Sequence, residues 1–168
     1  MKSLCLFSGA LFGLVLTGAL RGDDIAGADG KFLQEAASGG LLEVKLGQLA
    51  TERAQDAEVR QFGARMVTDH NKANQELMAV ALKNGIKVSE VLNKKHQEVF
   101  DKFKNMRGPE FDRAYMKHMV KDHEEDVAEF TKESQAAENA QVRAFATSTL
   151  ATIREHLRMA RAIADRLK

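Results

Sequence analysis

The apolar residues of this chain recur at helical spacing from about residue 31 almost to the end, and only short groups of turn-forming residues interrupt them. A period near 3.6 over such long segments is typical of amphipathic α-helices, whereas half-buried strands alternate with a period of two. The 168 residues contain one proline, so few positions force a helix to break. The pattern therefore predicts an all-α protein.

Capping and stop residues divide this pattern into five helices. Asp29 and Asp56 are the expected N-caps of the first two helices, Gly85 ends the second, and Pro109 lies in the first turn of the fourth. The helices are expected at about 31–53, 57–84, 89–106, 110–135 and 140–167. Four of these are long and the third is short.

The short helix explains how the long ones connect. At 1.5 Å per residue it spans roughly 25 Å, which is close to the length of the bundle. It can therefore join two antiparallel hairpins as a crossover. We expect a ferritin-like four-helix bundle with a short crossover helix between the second and third long helices, which then run parallel.

The start of the chain has a different pattern. Lys2 is followed by an apolar run from Leu4 to Leu16 and by small residues up to Ala19, which is typical of a secretory signal peptide. A membrane anchor is the other interpretation, but the run is short for a bilayer span. We expect cleavage near Ala19.

The expected domains are a signal peptide at 1–19, a flexible leader at 20–30 and the ferritin-like bundle at 31–168. The single cysteine, Cys5, lies in the signal segment, so the mature chain has no thiol and suits an oxidising compartment. We expect an exported protein, in the periplasm or associated with the outer membrane.

The charge of the mature domain limits its partners. Cleavage removes Lys2 from the 25 basic residues and no acidic residue, which leaves 24 basic and 24 acidic residues. Nucleic-acid binding needs a basic face to neutralise phosphates, and none is visible here. We expect no nucleic-acid partner and no transmembrane span in the mature chain, while protein partners stay open.

Each long helix has one ionisable residue near the middle of its core stripe: Glu43, His70, His123 and His156. Counting residues from the turns places all four at one height, to within about one turn. One carboxylate and three imidazoles are therefore expected to meet inside the bundle.

Two interpretations of this cluster stay open. Three imidazoles with a carboxylate suit one divalent transition metal (zinc, iron, manganese or copper), whose binding should weaken below about pH 6. The same residues could instead form a hydrogen-bonded network that satisfies polar groups in the core. Asp69 and Asp122 lie off the stripe and are expected to contact the ligands or to be solvated. His96 and His118 are not expected to be ligands.

Several strings in this order resemble the bacterial domain-of-unknown-function family 4142, whose members are often labelled outer membrane proteins and grouped with ferritin-like bundles. The strings are Glu43-Val44-Lys45-Leu46-Gly47, Met66-Val67-Thr68-Asp69-His70, Met119-Val120-Lys121-Asp122-His123, Phe111-Asp112-x-x-Tyr115 and His156-Leu157. The resemblance implies fold and export, since the family has no settled activity.

Three functions follow from these observations. The first is a non-enzymatic periplasmic bundle that binds one transition-metal ion, with a role in envelope stress or metal handling. The others are a mononuclear metalloenzyme and a metal-free protein interaction module. Di-iron bundles carry a glutamate three residues before a histidine on two helices. Val67 and Ile153 occupy these positions here, so we expect a mononuclear or altered site at most.

Overall fold

The structure is a computed structural model that describes residues 27–168. The predicted signal peptide, and residues 20–26 of the predicted leader, lie outside the described residues. Within them the chain forms five helices and no strand: α1 Ala28–Arg53, α2 Ala57–Lys83, α3 Lys94–Phe103, α4 Gly108–Ala136 and α5 Ala140–Arg166. The predicted all-α fold is confirmed.

The four long helices pack as two hairpins. α1 pairs with α2 and α4 with α5, while α2 also contacts α5 and α1 contacts α4. One hydrophobic cluster includes Phe62 and Tyr115, near the starts of α2 and α4. The other includes Leu77 and Phe130, near their ends. α2 and α4 are therefore parallel and diagonally opposite, as the crossover predicts.

The crossover helix is shorter than expected. A helix was predicted over 89–106, but α3 covers only Lys94–Phe103. Asn93 caps it, because the Asn93 side chain accepts a hydrogen bond from the His96 N–H. The Asn93 N–H donates to Oγ of Ser38 on α1. Side chains of α1 thus bind polar groups in the segment before α3. If this segment were helical, backbone hydrogen bonds would satisfy those groups.

The predicted N-cap of the first helix is also different. α1 begins at Ala28, and Asp29 lies inside its first turn without capping it. The Asp29 carboxylate instead accepts hydrogen bonds from the N–H groups of Glu138 and Asn139, at 3.2 and 2.7 Å. Its partners are thus in the turn between α4 and α5, which the sequence of α1 alone could not indicate.

Asp112 on α4 makes the matching contact to the turn between α1 and α2. Its carboxylate accepts hydrogen bonds from the N–H groups of Gln55 and Asp56, at 3.1 and 2.9 Å. Equivalent groups in the two hairpins are 83 residues apart: Asp29 and Asp112, Asp56 and Asn139 (both N-caps), and Arg60 and Arg143 (both bonded to turn carbonyls). The two hairpins are therefore related by an approximate two-fold symmetry axis.

α1 and α2 approach closely at two glycines. A Cβ on Gly63 would lie 2.6 Å from the Cβ of Ala50 and 2.8 Å from the carbonyl oxygen of Gly47. Only glycine fits there without displacing backbone. No helix within residues 27–168 is long and apolar enough to cross a membrane.

Candidate metal centre

The four predicted residues lie together in the layer between the two hydrophobic clusters. Glu43, His70, His123 and His156 come from α1, α2, α4 and α5, with 2%, 6%, 0% and 0% of their surface exposed. The three imidazole ring centroids are 5.2, 5.5 and 5.8 Å apart. The structure brings all four into one cluster, and their binding of a metal stays a prediction.

Carboxylates hold two of the three imidazoles by one ring nitrogen. Nδ1 of His70 lies 2.8 Å from Oε2 of Glu43, and Nε2 of His156 lies 2.8 Å from Oδ2 of Asp69. The opposite nitrogens, Nε2 of His70 and Nδ1 of His156, are buried and have no hydrogen-bond partner. Each ring is thus anchored on one side and free on the other.

His123 has no side-chain anchor of this kind. Its Nε2 lies 3.4 Å from Oε1 of Glu43, but neither of these atoms nor Nδ1 of His123 has a hydrogen-bond partner. One nitrogen from each of the three histidines lies within 4.8 Å of the other two. Leaving a buried polar group unsatisfied costs about 1–3 kcal/mol, and this group of buried atoms without partners could hold a metal ion.

Burial keeps the imidazoles neutral. It lowers the pKa of His70 to about 4. It also lowers the pKa of His156 to about 4, although the hydrogen bond to Asp69 opposes this. The pKa of His123 lies well below its usual value because of burial and then the charges of His70 and His156. Neutral imidazole is the form that binds metals, so proton competition for His70 and His156 is expected nearer pH 4 than pH 6.

Two further carboxylates join the cluster. Asp122 and Asp126, both half-buried on α4, each have an oxygen within 4.8 Å of ligand atoms of Glu43 and His123. The sequence places Asp122 off the stripe, as a residue that contacts the ligands or is solvated, and the core stripe does not single out Asp126. Asp126 follows His123 by three residues, and this spacing places both on the same side of a helix. The spacing was the available signal.

Burial also disfavours the charged form of these acids. It raises the pKa of Asp122 to about 6. The pKa of Glu43 is raised well above its usual value by burial and then by the charge of Asp122. The pKa of Asp126 is also raised well above its usual value, by burial and then by the charges of Glu43 and Asp122. A bound cation would reverse these shifts.

The other two histidines lie outside the cluster, as expected. Nδ1 of His96 pairs with Oγ of Ser38 at 2.7 Å, which fixes α3 against α1. The ring of His118 packs beside Phe103, with the centroids 5.4 Å apart. Both contacts give these histidines a structural role.

The cluster can be reached through two cavities. One, of about 70 Å³, is lined by Glu35, Glu43, Asp122, Asp126 and Glu129 among others. The second, of about 190 Å³, lies between α2 and α5 and is lined by residues that include Asp69, His70 and His156. Each volume exceeds the 10–15 Å³ or so that one water needs, so both cavities have room for water or an ion beside His70, and the second also beside His156.

Comparison with known proteins adds the family and the fold. The sequence profile of the family described as "Domain of unknown function (DUF4142)" matches residues 17–163. The crystal structure of a DUF305 fragment from Deinococcus radiodurans has a TM-score of 0.71 to this chain at 16% sequence identity. The match covers 82% of this chain and 95% of that one. At this identity the likeness shows the fold alone. No curated protein matches the chain.

Proposed function

The chain belongs to the DUF4142 family, whose description names no activity, and from its core we propose that it binds one divalent transition-metal ion at the centre of the bundle. His70, His123 and His156 supply nitrogen donors. Glu43 holds His70 through Oε2, and its Oε1, which has no partner, is available as an oxygen donor.

One observation carries this proposal: each of the three histidines has a buried ring nitrogen without a partner, and one ring nitrogen of each lies within 4.8 Å of the other two. Histidines that ligate metals usually donate their other N–H to a carboxylate or carbonyl, which fixes the tautomer. Glu43 and Asp69 hold His70 and His156 in this way. Imidazole donors suit zinc, copper and iron, and a carboxylate oxygen extends the metals that this donor set can bind to manganese.

The proposed role is metal handling or a response to envelope stress in an exported, periplasmic protein. The periplasmic compartment is proposed from the signal-peptide pattern that ends near Ala19. Mass spectrometry of the native protein tests it, because an exported protein should begin at or near residue 20. Retention of residues 1–16 would contradict export.

A mononuclear metalloenzyme is the second candidate, favoured by the cavity of about 190 Å³ beside His70 and His156. Catalytic metal sites keep one coordination position open to solvent or substrate. The cobalt-loaded protein distinguishes the two: an open position should bind azide and change the visible spectrum, whereas a closed site should not.

The test of metal binding is thermal unfolding of metal-free protein with added zinc, cobalt or copper. We compare wild type with His123→Ala, and with His118→Ala as a matched control outside the cluster. A ligand at 100 times its Kd adds about 2.7 kcal/mol of stability. Wild type and His118→Ala should therefore melt at higher temperature with metal, and His123→Ala should not.

Elemental analysis of the three purified proteins checks the same point without unfolding. Metal content near one ion per chain in wild type and His118→Ala, with loss in His123→Ala, supports the proposal. If metals shift all three melting temperatures equally, or none, the cluster is a hydrogen-bonded network. The metal-free interaction module then becomes the better description.

A further inference from the structure

We propose that the bundle contains a second cation position, formed by the carboxylates of Glu43, Asp122 and Asp126, next to the three-histidine position and sharing Glu43 and His123 with it. The proposal deepens the proposed function, since it extends one metal site to a centre with two unlike donor sets. The carboxylate position shares Glu43 and His123 with the first position, but Asp122 and Asp126 belong to it alone and carry its own test.

The geometry of the carboxylates carries the proposal. One ligand atom from each of Glu43, Asp122, His123 and Asp126 lies within 4.8 Å of the others. Glu43 comes from α1, and the other three come from α4. Ionising all three carboxylates at this distance is opposed by strong mutual repulsion in a poorly solvated site. A cation between them removes that repulsion and supplies the missing partner.

Buried atoms without partners distinguish this group from an acidic surface patch. Glu43 is 2% exposed, and its Oε1 has no hydrogen-bond partner. His123 is fully buried, and both of its ring nitrogens are without a partner. One ligand atom of each of these residues lies within 4.8 Å of an oxygen of Asp122 and of Asp126, so the position combines oxygen donors with residues that have unsatisfied groups.

The approximate two-fold symmetry between the hairpins explains why the carboxylates of Glu43 and Asp126 meet. Glu43 and Asp126 are separated by the same 83 residues as Asp29 and Asp112. They therefore occupy equivalent places on α1 and α4, which are neighbouring helices. The histidines do not follow this interval, since residue 153, which corresponds to His70, is Ile153.

This arrangement also changes the conclusion drawn from the missing glutamates. The absence of acids at Val67 and Ile153 predicted that a second carboxylate pair was lacking. In the structure α4 supplies two carboxylates itself, from Asp122 and Asp126, which are four residues apart. The second pair is therefore present at different positions, on one helix.

The donors and the access route indicate the class of cation. Carboxylate oxygens suit manganese, magnesium and calcium, whereas the adjoining imidazoles suit zinc and copper. The cavity of about 70 Å³ that reaches the three carboxylates is also lined by Glu35, Glu125 and Glu129, and by Lys95 and His96, which both lie near Glu35, so its lining is mainly acidic. Acidic walls raise the local concentration of cations. Mn²⁺ suits this position because it accepts oxygen and nitrogen donors.

The experiment adds Mn²⁺ to protein that already holds one equivalent of Zn²⁺, and free Mn²⁺ is counted by electron paramagnetic resonance. Wild type should bind one Mn²⁺ per chain. Asp126→Asn and Asp122→Asn, which keep the side-chain shape, should each weaken Mn²⁺ binding by roughly 10-fold or more, since even an outer partner of a metal site costs this much. Both should keep the Zn²⁺-induced rise in melting temperature.

Glu124→Gln is the matched control, because Glu124 lies on the same helix but on its exposed side, paired with Arg161. It should bind Mn²⁺ as wild type does. Equal Mn²⁺ binding by Asp126→Asn, Asp122→Asn and wild type would overturn the second position, as would a lack of Mn²⁺ binding by wild type. If Zn²⁺ has no effect but Mn²⁺ binding depends on Asp126, the proposed zinc-type site fails and the carboxylate position stands.

Discussion

Asp69 on α2 and His156 on α5 are joined by a contact of 2.8 Å between Oδ2 and Nε2. The hydrogen bond leaves Nδ1 of His156, which is buried and has no partner, free to bind a metal. Burial alone would raise the pKa of Asp69, but hydrogen bonds from His156 and Arg65 outweigh it and lower that pKa. Asp69 is therefore ionised at neutral pH and orients the imidazole.

The first prediction follows from this contact. Asp69→Asn should weaken zinc binding by roughly 10- to 100-fold, because a neutral amide orients His156 less strongly than a carboxylate does. Competition with a chelator of known affinity measures the change. Glu76→Gln is the control, since Glu76 is an exposed acid that lines the same cavity. Equal affinities for the two variants would show that Asp69 does not position the ligand.

The second prediction concerns protons released when a metal binds. Burial raises the pKa of Glu43 well above its usual value and lowers the pKa of His70 to about 4. At about pH 7 the released protons should therefore come from carboxyl groups and not from imidazoles. Calorimetric titration with zinc in buffers of different ionisation enthalpy should show release, and Glu43→Gln should show less. Heats that do not depend on the buffer would contradict this.

The third prediction is the pH dependence of stability without metal. An unfolded glutamate has a pKa of about 4.3, and burial raises that of folded Glu43. Above pH 4.3 or so the folded state thus holds a proton that the unfolded state loses, so the Glu43 contribution to stability falls as pH rises. The slope is at most about 1.4 kcal/mol per pH unit for one group.

Glu43→Gln removes this titration. Its free energy of unfolding, measured with denaturant, should exceed that of metal-free wild type by an amount that grows between about pH 5 and about pH 8. His70 and His156 titrate in the opposite direction below about pH 6.5, because their folded pKa is lowered to about 4. Both histidines are present in wild type and in Glu43→Gln, so their contributions largely cancel in the difference between the two free energies of unfolding. A constant difference across this range would argue against a raised pKa for Glu43.

The fourth prediction tests the contacts between the hairpins. Asp112 is 3% exposed and accepts hydrogen bonds from two N–H groups of the α1–α2 turn. Asp112→Ala leaves these groups without an acceptor and should lower the free energy of unfolding by about 2 kcal/mol. Asp101→Ala, which removes an exposed pair with Lys104, should cost under about 1 kcal/mol. Similar losses in both variants would show that Asp112 does not join the hairpins.

The helical period and the turn residues were enough to predict the all-α bundle and the parallel α2 and α4. They also predicted that Glu43, His70, His123 and His156 would converge. Each inference depends on geometry within one helix, where 100° per residue sets the inward face, or on counting residues between turns. Such regularities depend on residues that are close together in the chain, so they can be inferred from the sequence alone.

Other features were decided only by the tertiary structure. Asp122 faces the cluster although it lies off the core stripe of α4, because α1 lies beside that face and brings Glu43 to it. The same is true of Asp29, whose hydrogen-bond partners are more than 100 residues away. α3 begins only at Lys94, where Asn93 caps it and bonds to Ser38 of α1. These features depend on contacts between distant segments, which the period of a single helix does not encode.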